Sequence, residues 1–176
     1  MAVRWSRRAA ALATARRAGT AVLAAILAVA LAGCGLQIPA DPHGTLDRVT
    51  DGMLRVGVTD NDPWVTQAMS RPDGAAPGGI EPALVVEFAD GLRAEVEWHP
   101  GSEAALVEAL HRGELDMVIG GFLADTPWSD RGATTQPYAT TRTAEGEQQH
   151  VMLVRMGENR FLTALDAFLL ERTEPS

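Results

Sequence analysis

Apolar positions along this chain change period several times, and each change marks an element. Leu54, Val56 and Val58 alternate with Arg55 and Gly57, which predicts a strand with one buried face. From Glu81 the spacing becomes helical. Leu84, Val85, Phe88 and Ala89 share a face, Pro82 sits in the first turn and Gly91 is placed to end the helix. Ala94, Val96 and Trp98 then alternate with Glu95 and Glu97, a strand polar on one side and expected at a sheet edge. His99, Pro100 and Gly101 turn the chain into a helix capped by Ser102, with Leu106 and Leu110 one turn apart and Gly113 closing it. Residues 115–119, interrupted only by Asp116, predict a strand buried on both faces, with Asp116 capping the turn at its start. A fourth buried strand is expected over 151–154. The last helix follows, capped by Asn159, with Phe161, Leu162, Leu165, Phe168 and Leu169 inward. The segments 67–79 and 139–150 show no apolar period and are expected as loops.

Strand–helix–strand–helix–strand implies parallel pairing with right-handed crossovers. The fold class expected is α/β: one three-layer open sheet, mostly parallel, in the order 2-1-3-4. Its switch point lies between strands one and three, where open sheets of this class place ligands. Their carboxyl ends carry T-D-N-D-P-W (residues 59–64) and G-G-F-L-A-D-T-P-W (120–128). Two Pro-Trp pairs, each preceded by acids, converge on one crevice.

The first 33 residues have a different character. Five arginines precede an apolar run of about a dozen residues, short of the roughly 20 that a spanning helix needs. The run ends in Leu31-Ala32-Gly33-Cys34, which resembles the lipobox of bacterial lipoproteins, and Cys34 is the only cysteine. The organisation expected is a lipoprotein signal over 1–33, a tether over 34–52, one domain over 53–172 and a tail over 173–176. The protein is then held at the extracytoplasmic face of the cell membrane by lipid on Cys34, with no disulfide available. All fifteen basic residues are arginine and five lie in the leader, so residues 34–176 carry ten against twenty-three acids, a net of −13. Such a surface excludes nucleic acid as a partner and suits cations, or simply keeps an exported chain soluble.

Several stretches carry a family resemblance. L-R-V-G-V-T-D-N-D-P-W, G-G-I-E-P-A-L-V-V-E-F-A, L-V-E-A-L-H-R-G-E-L-D-M-V-I-G-G, T-T-Q-P-Y and H-V-M-L-V-R-M-G-E-N-R-F-L-T-A-L, in this order, resemble lobe one of the family 3 periplasmic solute-binding proteins. These are receptors of polar amino acid importers of the ABC type. The resemblance implies a second lobe between Tyr138 and His150, where only a short polar stretch stands. It also implies a Thr-x-x-Arg segment whose arginine takes a solute carboxylate in a bidentate pair. Aligned back from Pro137 and Tyr138, that place holds Trp128, and Arg131 lies three residues later. Glu81 matches the first acid of the helix-start motif, and Ala83 stands where a second acid is common.

The candidate binding set is Asp60, Asp62, Trp64, Glu81, Gly121, Phe122, Asp125, Thr126, Trp128 and Arg131. Carboxylates beside aromatic faces suit an ammonium group, and a glycine lets backbone approach a ligand. Buried tryptophans at a core edge and acids that cap turns would give the same pattern with no ligand. The four histidines lack metal-ligand spacing and no serine stands in a nucleophile elbow, so neither a catalytic residue, a metal nor a cofactor is implied. Two functions remain open. One is a module for a small polar solute serving a membrane transporter. The other is an interaction module docking on a membrane transporter or sensor.

Overall fold

The computed structural model describes residues 41–70, 75–144 and 146–173. The signal, the Cys34 lipidation site and the first part of the expected tether lie outside the described residues. Ten elements follow one another: α1 (Thr45–Val49), β1 (Met53–Val58), α2 (Ile80–Gly91), β2 (Glu95–Pro100), α3 (Glu103–Arg112), β3 (Met117–Leu123), β4 (Ala133–Thr134), β5 (Ala139–Thr143), β6 (Gly146–Val154) and α4 (Asn159–Thr173).

The sheet order is β2-β1-β3-β6-β4, with β5 also paired to β6. β1 runs parallel to β2 and β3, while β6 runs antiparallel to β3, β4 and β5. The order 2-1-3 with β2 at the edge follows the sequence pattern. The fourth expected strand is the lower half of β6, which begins at Gly146. The polar connection expected over 139–150 is therefore a hairpin, β5–β6, whose tip rises beyond the end of β3. Threonines and glutamines supply a strand there without an apolar alternation, because both faces of most of the ribbon meet water.

Alternation along the strands builds two cores. Leu54 and Val56 of β1, Met117 and Ile119 of β3, and Met152 and Val154 of β6 pack with Val85, Phe88, Phe161, Leu165 and Leu169 under α2 and α4. Val118, Phe122, Val151 and Leu153 face the other way, against Leu106, Val107 and Leu110 of α3. Gly57 makes the second contact close: a Cβ there would lie 2.8 Å from Leu115 and 3.1 Å from Leu106. Truncating one of these buried leucines to alanine costs about 2–5 kcal/mol.

Asp116 and the cap of α4, expected from Asn159, differ from expectation. Asp116 is no simple turn cap. It is 1% exposed and accepts from the Arg55 amide (3.0 Å) and guanidinium (2.7 Å), and from Arg48 of α1. The α4 N-terminus is capped by Asp41, whose Oδ1 accepts from the amides of Arg160 (3.0 Å) and Phe161 (3.2 Å). In return, Glu158 accepts from the amides of His43 (3.0 Å) and Thr45 (2.9 Å) at the start of α1. Residues 41–49 of the expected tether are thus knitted to the domain, with Thr45 and Val49 buried. At α3, Ser102 holds the N-cap position with extended backbone but makes no side-chain cap bond, and Gly113 closes the helix at φ 77°.

Candidate functional site

Parallel pairing brings the loops after β1 and β3 to the same end of the sheet, and the β5–β6 hairpin rises beside them. The loop after β1 is held by its own backbone: the Trp64 and Val65 amides donate to the Asn61 carbonyl (2.7 and 3.0 Å). Asn61 Nδ2 donates to the Gly120 carbonyl at 2.8 Å, tying this loop to the break in β3. Asp60 Oδ1 accepts from the Ala68 amide at 2.6 Å. Trp64 is buried, stacked on His150 with ring centroids 3.9 Å apart and set edge-on to Tyr138 at 5.9 Å. Gly121 has φ 68°, and a Cβ there would lie 2.4 Å from Trp64 Cδ1 and 2.7 Å from Asn61 Nδ2. Only glycine fits that position.

Glu81 lies beneath this layer, fully buried. Its Oε2 accepts from the amides of Gly120 (2.7 Å) and Gly121 (2.9 Å), and its Oε1 from the Tyr138 hydroxyl. Burial pushes its carboxyl up to about 7, against the downward pull of Tyr138 and the two amides. Burial and the neighbouring Glu81 charge push the Tyr138 phenol up in turn. Glu81 therefore staples the start of α2, the end of β3 and the approach to β5, and does not face the crevice. His150 is buried too; Nε2 meets the Thr141 hydroxyl at 2.9 Å, and burial holds its pKa down against the pull of the Gly121 backbone.

The rest of the expected set is divided. Phe122 turns down into the α3 core. Thr126 is buried, and Trp128 is half-buried beside the same core with Nε1 donating to Glu103 at 3.2 Å. Arg131 pairs with Glu108 of α3 at 2.8 Å, so its guanidinium is engaged on the α3 side. Asp60, Asp62 and Asp125 remain exposed at the carboxyl end. Asp60 and Asp62 border an open depression of about 530 Å³ with Asn61, Val65, Thr66 and Gln67. Asp125 lies in a second hollow of about 450 Å³, lined by residues 123–125 and 146–149.

Pattern reading missed Asn61, Tyr138, His150 and the Glu147–Gln149 edge as parts of this end of the fold. Tyr138 precedes and His150 ends a stretch expected as a loop, so nothing local marked them as neighbours of Trp64. Among the described residues no group of three His, Cys, Asp or Glu side chains is placed to hold a metal ion.

A family model for bacterial extracellular solute-binding proteins, family 3, matches residues 54–174. No match is found among curated proteins. Among solved structures, a point mutant of the arginine-bound form of domain 1 from TmArgBP, the T. maritima arginine-binding protein, is 22% identical. That match covers 72% of this chain and 97% of the other, with a TM-score of 0.61. An ancestral cationic amino acid solute-binding protein is 16% identical over 72% of this chain and 93% of its own, with a TM-score of 0.57. A binding component of an ABC transporter from Wolinella succinogenes, complexed with lysine, is 12% identical over 68% and 89%, with a TM-score of 0.56. At these identities the likeness concerns the fold: a single lobe of a periplasmic binding protein.

Proposed function

Because the chain belongs to the family 3 bacterial extracellular solute-binding proteins, we propose that it is a one-lobe solute receptor anchored outside the cell membrane by lipid on Cys34. It takes a small polar, cationic solute at the carboxyl end of its sheet and serves a membrane transporter. The observation that carries this reading is the hairpin. β5 and β6 pair directly and turn back between Thr143 and Gly146, where the family resemblance leads one to expect a second lobe. The carboxyl end is therefore not roofed by a partner lobe of the same domain, and its rim carries Asp60, Asp62 and Asp125. Those acids favour a cation, and support comes from the arginine held by domain 1 of TmArgBP and the lysine held by the Wolinella protein. Half a clamp covers less of its ligand than a closed one, so affinity is expected to be modest.

A specific observation favours the second reading, an interaction module docking on a transporter or sensor. Arg131, the arginine nearest the place for carboxylate recognition, is paired with Glu108. A thermal-shift screen of the full chain in detergent against arginine, lysine, polyamines and quaternary amines separates the two. A ligand at a hundred times its dissociation constant stabilises by about 2.7 kcal/mol. A shift with cationic solutes supports the receptor. No shift with any solute, together with stoichiometric capture of a membrane transporter subunit, supports the docking module.

A further inference from the structure

β6 has neighbours on both sides only along its lower half. Its residues from Val151 to Val154 lie between β3 on one side and β4 on the other, and His150 stands opposite Leu123 at the end of β3. Residues 146–149 continue upward with β5 alone. The last link on the β3 side is the Ala124 amide donating to the Gln149 carbonyl at 2.9 Å. Side-to-side alternation along an antiparallel strand then fixes what lies above it. The Gln149 carbonyl points to the β3 side, so the N–H and C=O of Glu147 point there as well. Among the described residues that side holds no strand. It opens on the hollow of about 450 Å³ bounded by Asp125 and by Glu147 and its neighbours.

We propose that this edge is a docking lane in which an extended, basic peptide segment adds as a short strand in line with β3. The proposal rests on the reading that the carboxyl end of this lobe is the binding end, and it names the ligand class. Beyond Ala124 the lane runs along residues 146–148, about 10 Å at the rise of a strand, so it seats about three residues of an extended chain. The N–H and C=O of Glu147 supply the ladder, since Ala124 already stands against Gln149, and alternate side chains of the incoming segment meet the hollow. Charge selects the occupant. Asp125 is exposed at the lane with no arginine against it among the described residues, while Glu147 is ion-paired with Arg142. A lysine or arginine side chain complements Asp125. A second copy of this chain presenting the same edge would set like charges against each other, which disfavours self-pairing. The edge carries no proline, lysine or bulge of the kind that blocks strand addition.

The test uses the full chain purified in detergent and a blocked pentapeptide alternating lysine and threonine. Its partners are the same peptide N-methylated at alternate backbone nitrogens, and free lysine and arginine. Strand addition predicts that the unmodified peptide binds and that N-methylation weakens it at least tenfold. It also predicts that hydrogen exchange at the Glu147 amide slows on binding, and that Asp125→Asn weakens the peptide while leaving the melting temperature unchanged. Equal binding of the two peptides, or unchanged exchange at the Glu147 amide, overturns the proposal in favour of plain charge attraction. Binding of free lysine or arginine without the peptide overturns it and leaves the solute reading standing. Binding of neither class removes both.

Discussion

Glu81 is the residue on which the end of the sheet turns. Its carboxyl is raised from the ordinary 4.5 to about 7 by burial, so the folded chain holds that proton more tightly than the unfolded one. The stabilisation is fully present below pH 4.5 and is lost as pH rises through 7, by about 3 kcal/mol over the whole window. His150 works in the opposite sense, since its lowered pKa makes protonation below its ordinary 6.5 destabilising. Comparison of variants isolates the first effect. Glu81→Gln keeps an acceptor for the Gly120 and Gly121 amides and offers Tyr138 a donor. The difference in unfolding free energy between wild type and this variant is expected to move steadily against wild type from pH 4.5 to 8. A flat difference would contradict the buried staple. Gly121→Ala is expected to cost at least about 2 kcal/mol by chemical denaturation, since it forces an L-residue into left-handed backbone and against Trp64. None of this was legible at the residue scale. A glutamate at a helix start looks the same in sequence whether it faces a crevice or lies beneath one. Only the pairing of β3 with β1 carries Gly120 and Gly121 over it.

Elements were legible where the apolar period was strong. β1, α2, α3, β3 and α4 fall where Leu54, Val85, Leu106, Ile119 and Phe161 place them. The hairpin was not, because the exposed Thr140, Arg142, Glu147 and Gln149 alternate with half-buried Thr141 and Gln148 that are polar as well, so burial alternates with no apolar period to mark it. Nor was α1, a five-residue helix whose stability comes from distant carboxylates rather than its own sequence. That origin is testable. Asp41→Ala removes the cap of α4 and a bond to the Leu46 amide (2.8 Å), and is expected to cost about 1–2 kcal/mol. Glu158→Gln is expected to cost less at pH 7 than Glu158→Ala, since one amide oxygen still accepts from a backbone N–H of α1. Equal losses for the two variants, measured by denaturant titration, would show that the bonds to His43 and Thr45 carry no weight. Trp128 belongs at this scale too. Its half-buried ring and its bond to Glu103 join the loop after β3 to α3. Trp128→Ala is expected to lower the melting temperature by several degrees. Its effect on solute affinity is expected to be under threefold, and a larger loss would return Trp128 to the binding surface.

For the molecule as a whole, the charge is unevenly used. Most described arginines are paired: Arg48 and Arg55 with Asp116, Arg93 with Asp51, Arg160 with Asp47 and Arg172 with Glu87. The exposed pairs of Arg93, Arg160 and Arg172 add little stability individually. What they leave is a carboxyl end whose rim acids Asp60, Asp62 and Asp125 have no arginine against them among the described residues. The family's fold, reduced to one lobe and acidic at the carboxyl end of its sheet, makes the proposed cation recognition the central claim. Isothermal titration of the full chain in detergent with arginine tests it most directly, with Asp60→Asn/Asp62→Asn/Asp125→Asn as the companion. A saturable, one-to-one isotherm that weakens at least tenfold in the triple variant and with rising salt is the result expected. Arginine binding that the triple variant leaves intact, or no heat at millimolar arginine, would contradict it.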